Sequence, residues 1–303
     1  MEQIAIIGPT ACGKTALALE LALEKNAYIL SLDSLSIYKQ VDIASAKPSK
    51  KEQKSVKHFG INELFINEEF DVSKFACFYK NAKKEAKFGG KNLILVGGSS
   101  FYLKMLCDGI SKKPKLKQAE KLWVEEKLRN ENERNKAYDF LYKLDEKYMK
   151  KIKKNDAYRI KKCLEIYAQN KMPPSDFFGQ NLQIPIIENL ENLKIFEITC
   201  AKEILIPRIE KRTKQMLEAG LIDEVIFLEN IYSRSPKPMG AIGIVETLAY
   251  LDNLIDKKTL EEKIITNTLG LAKRQKTFNA SQFDNIFKKD TLEKISSEIF
   301  KVF

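Results

Sequence analysis

Eight consecutive residues, Gly8-Pro9-Thr10-Ala11-Cys12-Gly13-Lys14-Thr15, fit the pattern G-x-x-x-x-G-K-[ST]. Backbone N–H groups of such a loop cradle phosphate oxygens at a helix N-terminus, where the helix dipole also favours anions. Lys14 would reach the distal phosphate, and the Thr15 hydroxyl would ligate Mg²⁺. Asp33 is the second chemical candidate. It closes the apolar run Ile29-Leu30-Ser31-Leu32. Ligands of open α/β sheets sit beyond the carboxyl ends of strands, so Asp33 is expected near the phosphate loop. Three roles fit a carboxylate there: a water-mediated Mg²⁺ ligand, a general base, or the cap of a turn or helix.

Those residues need elements to hold them. Residues 4–7 read as a buried strand ending at Gly8-Pro9, and 15–25 as a helix. A second strand is expected over 28–32, a helix over 73–88, a strand over 92–96 closed by Gly97-Gly98, and a helix over 100–107. This alternation predicts an α/β fold with a P-loop NTPase-like core, a parallel sheet flanked by helices. From Pro114 to about Asn170 the pattern changes. Helices are expected over 120–129, 138–144, 146–153 and 157–167, with no strand among them. Met172-Pro173-Pro174 and Ile184-Pro185 mark a loop and a return. A strand over 194–199 rejoins the sheet. It is followed by a helix over 207–228, with Gly220 as break or cap, and by helices over 259–275 and 290–303. The chain thus divides into a discontinuous core, 1–113 with 186–303, and an all-helical insertion domain, 114–185. Its length of 303 residues agrees with two domains or one domain carrying an insertion.

Charge singles out the same insertion. Lys and Arg number 52 against 41 Asp and Glu, a formal net charge of +11. Between Lys112 and Lys171 there are 19 Lys/Arg and 10 Asp/Glu, so these 60 residues carry +9 of the excess. Clustered positive charge is the footprint of a polyanion partner, although a solvated helical surface has the same composition. Aromatic residues are interleaved: Trp123, Tyr138, Phe140, Tyr142, Tyr148, Tyr158 and Tyr167. At helical spacing, most of them belong to a core.

Composition excludes other classes. A hydrophobic fraction of 44% supports a real core and rules out wholesale disorder. No apolar run approaches the roughly 18–20 residues that span a bilayer. No basic segment followed by an apolar stretch opens the chain, so the expectation is a cytoplasmic protein without membrane attachment. Cys12, Cys77, Cys107, Cys163 and Cys200 form no C-x-x-C pair, and His58 is the only histidine. A disulfide framework, a structural zinc site and any triad needing two imidazoles are therefore not expected.

Further runs carry a family resemblance. Asp33-Ser34-Leu35-Ser36-Ile37-Tyr38, Ala44-Ser45-Ala46-Lys47-Pro48 and Val96-Gly97-Gly98-Ser99-Ser100-Phe101-Tyr102 follow the phosphate loop. With it they resemble the GPTASGKT, DSxQxY, GTAKP and VGGTGxY patterns of the bacterial tRNA dimethylallyltransferase (IPP transferase) family. Asn155-Asp156-Ala157-Tyr158-Arg159 resembles the family's NDxxR, and the stretch from Arg208 to Val225 its R-x₃-R…M…GL…EV helix. Ala241-Ile242-Gly243 with Glu246 resembles AIGYKE, and Ala272-Lys273-Arg274-Gln275 resembles AKRQ. The matches run in family order from residue 4 to about residue 278.

The resemblance implies transfer of a dimethylallyl group from dimethylallyl diphosphate to N6 of an adenine beside a tRNA anticodon, with Mg²⁺ as cofactor. It implies that Asp33 is the general base. Gly8, Pro9, Thr10, Ala11, Cys12, Gly13, Lys14 and Thr15 would hold the diphosphate, with Thr15 bearing on Mg²⁺ and Arg212 as a second cationic contact. Arg208, one turn earlier, is a weaker candidate for the same job. Contacts to the anticodon stem-loop map to Asp33, Ser34, Leu35 and Ser36, to Ser99, to Tyr158, Arg159, Ile160, Lys161 and Lys162, and to 241–246. The chemistry is coherent. An exocyclic amine is a poor nucleophile that a carboxylate helps, and a departing diphosphate needs cations. A base inside an anticodon loop must leave its stack to reach such a site.

The chain departs from the family pattern at several places. Ser36 stands where Gln is usual, Ser45 and Ser99 where Thr is usual, and Ser100 where Gly is frequent. Ile244-Val245 replaces Tyr-Lys. Cys12 replaces Ser, either as a size-compatible exchange or as a thiol made reactive by a helix N-terminus. Rival functions are an adenylate isopentenyltransferase acting on free AMP, ADP or ATP, a P-loop nucleotide kinase, and a nucleotide-gated RNA-binding module in which Asp33 has no chemical role. No obligate protein partner is expected, and a monomer is the default.

Overall fold

The computed structural model describes residues 1–111, 114–181, 183–283, 286–289 and 292–303. The chain divides into two compact units, Met1–Cys107 with Ile186–Phe303, and Asp108–Pro185. The first boundary thus falls earlier than the change of composition at 113/114.

The first unit begins with β1 (Gln3–Ile7), α1 (Lys14–Glu24), β2 (Ala27–Ser31), α2 (Lys50–Ser55), β3 (His58–Phe59), α3 (Val72–Phe88), β4 (Asn92–Gly97) and α4 (Ser100–Asp108). The second unit contains α5 (Gln118–Lys127), α6 (Glu131–Leu144), α7 (Glu146–Met149), α8 (Ala157–Asn170) and α9 (Pro174–Gln180). The chain then returns through β5 (Lys194–Ile198), α10 (Lys202–Glu218), α11 (Leu221–Tyr232), α12 (Ile244–Leu251), α13 (Lys257–Gln282), β6 (Phe287–Lys289) and α14 (Leu292–Val302).

The six strands form one sheet in the order β3-β2-β4-β1-β5-β6, and every pairing is parallel. β1 lies inside the sheet, between β4 and β5, and its residues Ile4 to Ile7 are almost wholly buried. A strand covered on both faces reads as a continuous apolar run, which is why its sequence does not alternate. α1 and α14 cover one side through Leu17, Leu21, Ile295 and Ile299. A second cluster joins Ile37, Leu64 and Ile66 to α11, α12 and α13 through Leu221, Val225, Ile244 and Leu260.

The second unit has its own core, built on Val124, Leu141, Met149, Ile160 and Leu164. Asp145 ties it together. Its two carboxylate oxygens accept the N–H of Tyr148 (3.1 Å) and of Ser175 (2.7 Å). The aromatics expected in this core sit mainly at its rim. Trp123, Tyr138, Tyr142 and Tyr148 are partly buried against it, whereas Phe140 and Tyr158 are exposed.

Several boundaries differ from the sequence expectation. The helix expected over 207–228 is two helices. Gly220, at φ +96°, begins the second one, and Pro207 lies inside the first. The helix expected over 146–153 stops at Met149. The helix expected over 259–275 extends to Gln282. Of the helix expected over 290–303, residues 290 and 291 lie outside the described residues. The short elements α2, β3, α9, α12 and β6 were not expected, since two to eight residues carry little periodicity.

Candidate active site

The phosphate loop leaves the buried end of β1 and enters α1. Gly8 has φ +149°, and a Cβ there would stand 2.5 Å from the carbonyl oxygen of Ile198. No side chain fits, so the loop can pass close over β5 only with glycine. Ala11 (φ +62°) and Gly13 (φ +94°) turn the chain so that α1 starts at Lys14. No side chain caps that helix start, which leaves its first N–H groups to face the cavity described below. Lys14 is buried, and its Nζ donates to the carbonyl oxygen of Pro9 (2.6 Å). The same Nζ lies 3.6 Å from Cys12 Sγ. Cys12 is 1% exposed, so here the thiol fills space and offers no surface to a reagent. Thr15 is exposed.

Asp33 follows β2 after one residue. Its Oδ1 accepts the N–H of Leu35 (2.7 Å) and of Ser36 (2.9 Å), an Asx-type turn that fixes the carboxylate. The cap role and the chemical role are therefore compatible, because Oδ2 takes no part in the turn bonds. Arg212, from α10, donates from Nη1 to Thr10 Oγ1 (3.3 Å). Burial pushes its guanidinium below the usual arginine range, and the negative charge of Asp33 opposes this. Tyr102 is pushed upward by burial and then by the Asp33 carboxylate, which places its phenol in the same field.

Two cavities meet at these residues. The larger, about 590 Å³, is bordered by Thr10, Lys14 and Thr15 of the phosphate loop, by Gly97 and Gly98, and by Arg208 and Arg212. The smaller, about 310 Å³, is bordered by Ser34, Leu35 and Ser99, and by Ala241 and Ile242. Thr10, Asp33, Ser45, Arg212, Leu271 and Gln275 border both. An anion in the first cavity and a second reactant in the other would therefore face each other across Asp33.

The structure thus gathers the phosphate loop, Asp33, Ser34, Leu35, Ser99 and Arg212 around one pair of cavities. Ser36 is buried and bonds its hydroxyl to that of Ser31 (3.1 Å), so its side chain belongs to the wall of the larger cavity. Tyr158, Arg159, Ile160, Lys161 and Lys162 lie on α8 of the second unit. Tyr158, Arg159 and Lys161 are exposed, and Lys162 Nζ stands 5.7 Å from the centre of the Tyr158 ring. Ile160 is wholly buried in the core of that unit. Its side chain faces that core, so the exposed side chains of the run 158–162 are those of Tyr158, Arg159, Lys161 and Lys162. The helical period turns Ile160 inward while its neighbours face solvent.

Gln275, which ends the AKRQ-like run, has no signal in the sequence for the role it takes in the fold. Its Oε1 accepts the N–H of Thr10 (2.9 Å). A Cβ on Gly98 would stand 2.3 Å from its Nε2. Gly98 thus admits the side chain that holds the phosphate loop. Lys47, in the GTAKP-like run, is a second support of the site. Its Nζ donates to the carbonyl oxygen of Tyr38, to Asp42 and to Asn62, each at 2.7 Å. Burial lowers it from the ordinary lysine value, against the pull of Asp42, Glu224 and Asp33. His58 borders the larger cavity, bonds Val56 O through Nδ1 (2.8 Å), and is pushed downward by burial.

Residues 36–282 match the family model described as IPP transferase. A tRNA dimethylallyltransferase of Aliarcobacter butzleri is 50% identical over 303 residues, 100% of this chain and 99% of the relative. One from Sulfurimonas denitrificans is 51% identical over 299 residues, 99% of this chain and 98% of the relative. The crystal structure of a tRNA isopentenylpyrophosphate transferase from Bacillus halodurans is similar with a TM-score of 0.71 at 27% identity. That match covers 99% of this chain and 94% of the other. With the phosphate loop, the paired cavities and a match over most of its length, this chain belongs to the IPP transferase family.

Proposed function

We propose that the chain transfers a dimethylallyl group from dimethylallyl diphosphate to N6 of the adenosine 3′ of the anticodon in tRNA. The observation that carries this reading is the meeting of two cavities at Asp33, with the phosphate loop bordering one and Ser34, Leu35 and Ser99 the other. The donor diphosphate lies on the loop, with its reacting carbon toward Asp33. The adenine enters from the smaller cavity. As the N6–carbon bond forms, the carbon–oxygen bond of the donor breaks and its electron pair leaves with diphosphate. Oδ2 of Asp33 takes the N6 proton, while Oδ1 stays in its turn. Lys14 and Arg212 meet the charge that develops on diphosphate.

The residues fit Mg²⁺. Thr15 and Asp33 border the same cavity as the cationic loop, and the described residues contain no group of three or more His, Cys, Asp or Glu that could hold a metal by themselves. The Thr15 hydroxyl and the Asp33 carboxylate are hard oxygen donors of the kind Mg²⁺ takes, with substrate oxygens and water to complete its shell. Thr15 would hold it, and the ion supplies charge neutralisation for the diphosphate. Tyr158, Arg159, Lys161 and Lys162 offer RNA an exposed basic and aromatic face, and a tRNA substrate supports a cytoplasmic location. No helix among the described residues is long and apolar enough to cross a membrane.

The test is product analysis. The protein is incubated with Mg²⁺, dimethylallyl diphosphate and unmodified tRNA, and the nucleosides are examined by mass spectrometry, with AMP, ADP and ATP as parallel acceptors. A five-carbon addition to a tRNA adenosine is expected. Addition to mononucleotides alone, or phosphate transfer from ATP without addition, would overturn the reading.

A further inference from the structure

The acidic residue of the …EV element has no place in the reaction as described, yet it makes three directed bonds. Glu224, on α11, accepts the backbone N–H of three successive residues. Oε2 takes those of Asp42 (2.8 Å) and Ile43 (2.7 Å), and Oε1 takes that of Ala44 (2.9 Å). Hydrogen bonds to a carboxylate are among the stronger ones in proteins. Glu224 thus grips the start of the segment Asp42–Lys47 at its backbone. Lys47 grips the other end through its three bonds to Tyr38, Asp42 and Asn62.

The gripped segment is strained and faces the site. Ala46 stands at φ +46°, a left-handed conformation that alanine adopts only when its surroundings impose it. Ser45, beside it, borders both cavities and donates its hydroxyl to the carbonyl oxygen of Val41. The segment is therefore part of the wall where the two reactants face each other.

We infer that Glu224 is a positioning residue: its carboxylate clamps 42–44 so that the strained Ser45-Ala46 wall is set before the reactants meet. The inference rests on the proposed transferase reading. The phosphate loop is held separately, by β1 and by Gln275. Because Ser45, Ala46 and Lys47 border the donor cavity but the loop itself is held elsewhere, loss of the clamp should disturb the reacting geometry more than it weakens the hold on the diphosphate.

Two measurements on the full chain test it. In amide hydrogen exchange, Glu224→Ala should speed exchange in peptides covering 42–47 and leave those of β1 and α1 unchanged. In steady-state kinetics, Glu224→Ala should lower kcat at least about tenfold, with the KM for dimethylallyl diphosphate rising by clearly less than kcat falls. Glu224→Gln keeps one carbonyl oxygen and should recover part of kcat. It also serves if the Ala variant does not fold. Unchanged exchange at 42–47 would overturn the clamp. Wild-type kcat in both variants, or a rise in donor KM that matches the loss of kcat, would overturn its role at the site. A wild-type protein inactive in the same assay would overturn the transferase reading and, with it, that role, while exchange would still decide on the clamp.

Discussion

Asp33→Asn separates the two tasks that the structure gives this carboxylate. The turn uses Oδ1, which accepts from Leu35 (2.7 Å) and Ser36 (2.9 Å). The carboxamide oxygen of Asn can accept both, so the turn survives and stability should change by less than about 1 kcal/mol. The proton-accepting oxygen is lost. A positioned general base contributes about 10²–10⁴ in rate, or roughly 2.7–5.5 kcal/mol of barrier, and kcat should fall by that factor. The substitution also removes a negative charge whose field reaches Arg212. The site becomes more positive, so the KM for the diphosphate donor should stay level or fall. Asp33→Ala differs in one respect. It also leaves two part-buried N–H groups without their acceptor, at about 1–3 kcal/mol. Initial rates of five-carbon addition, read by nucleoside mass spectrometry beside thermal melts, check both variants. An Asn variant that melts like wild type and keeps kcat within about threefold would refute the argument, since general-base catalysis is worth at least about a hundredfold. Asp33 would then be a turn former alone.

Other outcomes follow from the same geometry. Gly98→Ala puts a Cβ 2.3 Å from Gln275 Nε2. The end of a flexible side chain must move and the part-buried Thr10 N–H loses its acceptor, so stability should fall by about 1–3 kcal/mol. Donor binding should weaken once the Thr10 N–H loses its partner, which donor titration would measure. Arg212→Ala removes a half-buried cation beside Thr10, and the KM for dimethylallyl diphosphate should rise about 10–100-fold, as expected for charged hydrogen bonds of roughly 1.5–3 kcal/mol. On the second unit, Ile160→Ala should cost about 2–4 kcal/mol of stability by opening a core cavity. Arg159→Ala should leave the melt unchanged and weaken tRNA binding, with a shallower salt dependence. Burial lowers His58 from its ordinary value. Below a pH of about 6.5 the unfolded chain therefore binds the proton first. Stability should fall with falling pH, by at most about 1.4 kcal/mol per unit from this group. His58→Gln should flatten that part of a melting-temperature profile taken between pH 7 and 5.5.

What the linear chain determined lies in contiguous runs. Gly8 to Thr15 specify a phosphate loop because glycines, lysine and hydroxyl act through neighbouring backbone. The alternation of apolar runs with helical stretches specifies a parallel sheet. Asp33 was legible because it ends such a run, and the basic insertion because its charge is concentrated between Lys112 and Lys171. Short elements were not legible. A two-residue strand such as β3 exists because β2 offers it an edge, and β6 because β5 does. The side chain that faces inward among exposed neighbours, Ile160, is decided by how α8 rests on its own core. The supports of the site were out of reach for the same reason. Gln275 meets Thr10 across 265 residues, and Glu224 meets 42–44 across about 180. Nothing local marks either pair, since their bonds exist only after the sheet has brought distant segments within hydrogen-bonding range.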